Sequence, residues 1–407
     1  MTISLYGAAP SQRSARSPAW PVVVRGAAAM AVSMGIGRFA YTPILPLMHA
    51  QAGLSAQGGS LLATANYIGY LIGALAGIVV PALVRSALTL RTGLVVVVAT
   101  VALMALTRSP AVWFALRLAA GVASALVFMI TASAMLAQLR EHAQHLVGWG
   151  FGGVGVGIAL SGAVVLVVRT MGTWRTAWLA CGALALALTG MAWMLRTEAK
   201  NAPASRQLSG DARGTHRRFA ALFTSYALEG VGYIIAGTFL VAAIDSRAAA
   251  WVGTTAWVVA GLAAFPAAAL WNALARRWSR PALLLAALLI QACGIALPAL
   301  TGGVACALVS AALFGATFLG IASMALAMGA HLQYPRSVAL LTAGYAVGQI
   351  LGPLIVTPLL SSGYHVALLV AGAIVLAAAV AAAALRAGYP HDPTSPATGP
   401  LALPPAH

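Results

Sequence analysis

Met34-Gly35-Ile36-Gly37-Arg38-Phe39-Ala40-Tyr41-Thr42-Pro43 lies inside an apolar run that extends from Val22 to Leu47. A helix needs about 20 apolar residues to cross a bilayer, and this run supplies them. One guanidinium stands within it. Arginine keeps its proton, and at the centre of a membrane helix it costs at least ~2.5–3.5 kcal/mol. Such a charge is tolerated where it faces a partner or a wet cavity. Gly35 and Gly37 before it, and Pro43 after it, weaken the same helix. Irregular backbone at membrane depth is found where protein lines a binding site.

The rest of the chain agrees with a membrane fold. Of 407 residues, 61% are hydrophobic and 7% charged, with mean hydropathy +0.92. Soluble domains carry about 25% charged residues, so the chain reads as an all-α polytopic membrane protein surrounded by lipid. Alternating ten-residue strands are absent, which excludes an outer-membrane barrel. The net charge of +17 does not point to nucleic acid, because the basic residues fall in short connections between apolar runs. Lys200 is the single lysine; the arginine bias suggests a bacterial source.

Cys181, Cys293 and Cys306 fall within apolar runs and are expected as small buried packing residues, without disulfide or metal. The histidines are expected in loops or tails, and His142 and His145 have no acidic or cysteine companions. No Walker loop is present. The chain is therefore expected to be no enzyme, with no cofactor and no metal. The first apolar run reads as a true span, and no removable signal is expected.

Twelve spans are predicted, at 22–47, 57–80, 88–107, 110–137, 146–168, 174–195, 219–243, 251–272, 281–301, 303–328, 338–360 and 364–386. They divide the chain into a tail over 1–21, a bundle over 22–195, a polar linker over 196–218, a bundle over 219–386, and a disordered Pro-rich tail over 387–407. Basic residues favour one set of connections over the other by about four to one; Arg108, Arg169, Arg175 and Arg247 are the minority. This bias predicts cytoplasmic termini and linker, in the inner membrane of a bacterium.

The two bundles repeat. A shift of about 195 positions lays Gly35-Ile36-Gly37-Arg38 on Gly230-Val231-Gly232-Tyr233, Gly153 on Gly348, Gly157 on Gly352, and Arg85 on Arg280. Both halves begin on the same side, so the repeat is parallel, about an axis along the membrane normal.

Six plus six parallel spans joined by a basic linker resemble the major facilitator superfamily. Met34 to Met48, with Arg38, Tyr41, Pro43 and Pro46, resembles the opening signature of its YbfB/YjiJ-type branch. Ala65-Asn66-Tyr67-Ile68-Gly69-Tyr70 in span two and Gly230-Val231-Gly232-Tyr233 in span seven are similar to that branch as well. Arg117-Leu118-Ala119-Ala120-Gly121 resembles the motif that opens the superfamily's fourth helix. The chain departs from the superfamily pattern at Val84-Arg85-Ser86, where an acidic residue is usual, and in span five, which lacks Gly-Pro pairs. The resemblance implies alternating access, with a central cavity lined by spans one, four, seven and ten.

Arg38 is the first candidate for binding substrate. Helical rise places it ~24 Å from the inner end, and Arg117 ~10 Å from the outer end, so both reach a similar level. Two such guanidiniums favour an anion, since their forks match carboxylates. Alternatively, each arginine holds carbonyls of a broken helix. Glu229 is the carboxylate deep within a span; surroundings that turn from wet to dry would move its proton on and off, as a proton-coupling group requires. Its alternative role is a permanent tie to an arginine of the other half. Tyr41, Asn66 and Tyr233 complete the candidate set, with ordinary interhelical hydrogen bonding as the competing role. The glycines of span five allow close helix packing, and the same smooth surface suits sliding against span eight.

Together these readings predict a monomeric secondary transporter for a small anionic or carboxylate-bearing solute, coupled to protons. Two alternatives stay open: a proton-coupled exporter of cationic or hydrophobic compounds, and a membrane sensor or assembly partner that moves nothing.

Overall fold

A computed structural model describes residues 19–139, 145–197, 212–332 and 334–386. The tail expected over 387–407, and most of the tail over 1–21 and of the linker over 196–218, lie outside these residues. Twelve helices are long and apolar enough to span a membrane: Ala19–Ala52, Ala56–Val79, Ala87–Leu106, Pro110–Gln138, Leu146–Met171, Trp174–Ala192, Gly214–Asp245, Trp251–Leu274, Arg280–Leu300, Val304–His331, Ser337–Ser362 and Tyr364–Arg386. They are numbered here as spans one to twelve. Each expected span corresponds to one of them.

Local chemistry sets many of the ends. Ser55 accepts the Gly58 amide and Ser86 the Thr89 amide, capping spans two and three. Thr173 and Thr176 form a reciprocal capping box at span six. Pro110 and Pro281 occupy first-turn positions, where no amide donor is needed. Span seven begins earlier than expected. Its helix starts at Ala212, so 212–218 belongs to the span and not to the linker. Hydropathy misses this end because His216, Arg217 and Arg218 are polar, yet His216 and Phe219 pack on Tyr334, the Phe219 and Tyr334 rings 4.1 Å apart.

Two further expectations need correction. Cys181 is buried, but Cys293 is exposed and Cys306 half-buried. Lipid is as apolar as a protein interior, so a small apolar side chain on the outer face carries no penalty. His49, His145, His216, His331 and His365 stand on helices rather than in loops. His49 packs at the end of span one, hydrogen-bonding the Leu54 carbonyl and, through Nε2, the Tyr364 hydroxyl at 2.9 Å.

Small residues bring the spans together. A Cβ on Gly153 or Gly157 would strike the backbone at Ala27 and Ala31 of span one. In the other half, Gly348 and Gly352 sit in the same way against Ala227 and Val231 of span seven. Span five turns its other glycines, Gly152 and Gly155, to span eight at Phe265 and Gly261. Such backbone approach is how helices associate where lipid removes the hydrophobic driving force.

Spans one, six, seven and twelve place their linker- or tail-side ends on one side of the bundle, called the near face. On the opposite, far face the halves are stitched together. Ser60 of span two bonds the Pro353 carbonyl at 3.0 Å and Thr357 at 2.6 Å. Arg169 of span five bonds Asp245 of span seven at 2.8 Å and Thr254 of span eight at 2.5 Å. Between the halves at the near face lies a cavity of about 640 Å3. Leu136, Val147, Phe151, Asn272, Arg276, Arg280 and Ser323 are among its lining residues. Spans four, five, eight, nine and ten supply that lining; spans one and seven do not.

Candidate functional site

Span one breaks at its charge. It is α-helical over Ala19–Met30, widens to a π-helix over Ala31–Ile36, turns over 37–40, and resumes over Tyr41–Ala52. The Gly37 amide bonds Val32 O at 2.9 Å and the Phe39 amide bonds Met34 O at 3.3 Å, both one residue longer than an α-helical bond. Pro43 has no amide to offer the Phe39 carbonyl, which Thr42 N–H takes instead at 3.2 Å. The freed carbonyls find another donor. Arg117 of span four gives Nη1 to Gly37 O at 3.0 Å and Nη2 to Arg38 O at 3.2 Å.

Arg117 is itself held. Asn66 Nδ2 donates to its backbone carbonyl at 3.0 Å, and its guanidinium lies 4.8 Å from the Tyr41 ring. The Tyr41 hydroxyl bonds Gly59 O at 2.8 Å and its ring stacks on Trp178. Tyr41, Asn66 and Arg117 thus form one network that fixes the break within the first half.

Arg38 points the other way, across the interface. It is only 2% exposed, and its Nη2 donates to Gln349 Oε1 of span eleven. The guanidinium sits over the rings of Tyr70 at 4.7 Å, Tyr67 at 4.8 Å and Phe39 at 5.4 Å. Its Nε is buried without a partner. Among the described residues the one ion pair is Arg169–Asp245, so neither Arg38 nor Arg117 is neutralised by an acid.

The second half faces Arg38 with rings. Tyr233 lies nearly parallel to Phe318 (5.6 Å, 18°), Tyr345 (5.7 Å, 18°) and Phe314 (6.1 Å, 12°). Tyr345 stacks in turn on Tyr226 at 4.3 Å. On span seven between Tyr226 and Tyr233 is Glu229, fully buried, its Oε1 accepting from Gln291 Nε2 at 3.1 Å. The Tyr345 hydroxyl is close to Glu229 without meeting hydrogen-bond geometry at Oε2. Tyr233 and Tyr345 interact electrostatically with both Arg38 and Glu229. Both groups therefore lie near Tyr233 and Tyr345. The hydroxyls of Tyr70, Tyr226 and Tyr233 bond no other described residue. Tyr70 and Tyr345 are partly exposed, whereas Arg38, Tyr67 and Tyr233 are buried.

Of the six expected site residues, the structure brings Arg38 and Tyr233 to the interface, sets Tyr41, Asn66 and Arg117 behind it in the first half, and buries Glu229 within the second half against Gln291. Spans one, four, seven and ten each place a residue here, Arg38, Arg117, Tyr233 and Phe318, but the cavity expected between these four spans differs from the one at the near face, which spans four, five, eight, nine and ten line. Gln349, Gln291, Tyr345 and Phe318 were not singled out in the sequence. A buried amide in an apolar span is costly unless bonded, and that signal was available for both glutamines.

The family model described as "Uncharacterised MFS-type transporter YbfB" matches residues 30–383. The chain belongs to this family of MFS-type transporters. Family and fold make it a secondary transporter with twelve membrane-spanning helices. Among solved structures, the crystal structure of a point mutant of the nucleoside transporter NupG superposes with a TM-score of 0.70 at 14% identity, over 90% of this chain and 99% of that one. At that identity the likeness is one of fold. No match is found among individually curated proteins.

Proposed function

We propose that this transporter moves a small anionic, carboxylate-bearing solute across a bacterial inner membrane by alternating access, driven by protons. One observation carries the reading: Arg38 lies between the halves, 2% exposed, bonded to a neutral amide and to no acid. A buried guanidinium without a counter-charge is completed by an anion from outside the chain. Tyr233 lines the same interface, while Arg117, Asn66 and Tyr41 hold Arg38 in place.

Glu229 is the proposed proton carrier. No arginine pairs with it among the described residues, so a permanent tie between the halves does not account for it. Its neighbours are an amide and tyrosines, groups that hydrogen-bond either protonation state. The halves are joined at the far face and separated by a cavity at the near face. With the basic connections inside, this arrangement is the inward-facing state of a monomer with cytoplasmic termini.

Counterflow in proteoliposomes tests the reading. Organic acids are expected to compete and lipophilic cations to be inert; the reverse result would mark an exporter with Glu229 as cargo ligand. Glu229→Gln is expected to keep solute exchange but lose acceleration by a pH gradient. Binding without any counterflow would indicate a sensor.

A further inference from the structure

The anion reading leaves open what the carboxylate is attached to, and the surroundings of Arg38 speak to this. We infer that the solute is an aromatic carboxylate, its ring held against the tyrosine layer of the second half and its acid group on Arg38. The inference rests on the anion reading above and goes beyond it.

Its first support is the spare bonding capacity of the guanidinium. Gln349 takes one N–H of Nη2, and Nε has no partner although it is buried. A carboxylate can accept two such donors side by side. The second support is the wall. Tyr67 and Tyr70 place their faces under the guanidinium, from the first half. Opposite them, the Tyr233, Tyr345 and Phe318 planes lie within 18° in each pair with Tyr233. Parallel faces offer one orientation to whatever enters between the halves. A flat ring meets them with its whole face, and offset stacking adds to the area it buries. A saturated ring of equal size is thicker and has no quadrupole to match.

The third support is polar. The Tyr70 and Tyr233 hydroxyls, from opposite halves, have no bonding partner among the described residues. Neither hydroxyl is among the buried unpartnered polar atoms, so both reach accessible space. They are placed to meet ring substituents.

The test uses the purified full-length chain and three probes of similar size: benzoate, cyclohexanecarboxylate and benzamide. Trp257 packs on Phe39 and Phe314 and reports occupancy by fluorescence; thermal shift gives an independent reading. Benzoate is expected to bind about tenfold more tightly than cyclohexanecarboxylate, two ring faces each contributing a few-fold. Phe318→Leu and Tyr233→Leu should shrink that ratio to about twofold or less while both variants still prefer benzoate to benzamide. Equal binding of the two acids would overturn the aromatic inference and leave the anion reading standing. Equal binding of benzoate and benzamide would overturn the anion reading while the preference for rings survived. Failure of all three to bind would overturn this inference outright.

Discussion

Spans one and seven start from the same Gly-x-Gly signature at positions related by a 195-residue shift, yet one is broken and the other is a continuous helix from Ala212 to Asp245. Three differences fall together under that shift. Tyr233 stands where the first half has Arg38, Thr238 where it has Pro43, and Ala312 where it has Arg117. Proline removes one rung of the helical ladder, whereas Thr238 keeps its amide, and its side-chain hydroxyl also donates to Ile234 O at 2.7 Å. Arg117 then supplies donors to the two carbonyls released by the break; Ala312 could not. A broken membrane helix needs both a cause and a compensating donor, and only the first half has both. Two copies of one design thus share a backbone pattern but differ in charge: the first half buries two arginines, the second a carboxylate among tyrosines.

This contrast can be broken at its strongest point. Arg38→Ala should weaken binding of the proposed anion by about a hundredfold or more, the cost of leaving a buried charge partner unpaired. Arg38→Lys should recover only part of the loss, because an ammonium lacks the fork. Ligand-dependent thermal shift of both variants would measure it, and wild-type affinity in either would remove Arg38 from the site. Next in size is Arg117→Ala, which strips Gly37 O and Arg38 O of their donors; about 3 kcal/mol of stability should go with them, read as a lower melting temperature without any added ligand.

Pro43→Thr copies the second half into the first. A restored amide at position 43 should slow hydrogen exchange around the break, and transport should fall several-fold as Arg38 is turned from the interface. Unchanged exchange would mean that Arg117 alone holds the break open. The smallest effect belongs to Thr42→Val, which removes the bond from Thr42 to Gly237 O at 2.5 Å, between equivalent positions of the two halves. About 0.6 kcal/mol is expected, the average for hydrogen bonds between membrane helices.

Much of this architecture was legible before any coordinates. Hydropathy located all twelve spans because a bilayer imposes one length on every crossing helix. Gly35, Gly37 and Pro43 around one arginine marked the break because each residue acts on its own backbone. The allotment of partners was not legible. Depth alone put Arg38 and Arg117 at one level, but direction decides their roles: Arg117 turns inward to carbonyls and Arg38 outward to Gln349, 311 positions away. Likewise Gln291 meets Glu229 only because spans seven and nine pack together. The polar start of span seven was lost to hydropathy, since a helix held by Tyr334 beyond the apolar region leaves no greasy signal.

The absence of an acid beside Arg38 has an electrical consequence. In the proposed cycle the loaded interior holds Arg38, Arg117, a protonated Glu229 and the anion, and the empty one holds Arg38, Arg117 and an ionised Glu229, so each carries one net positive charge. The loaded and empty carriers would then respond alike to membrane potential, and only a state holding one of the two ligands would differ. A full elementary charge crossing the bilayer feels about 2.3 kcal/mol per 100 mV, and a charge displaced through part of the field feels the corresponding fraction. Voltage would bear with equal weight on the two complete strokes and would discriminate against carriers that move with the anion or the proton alone.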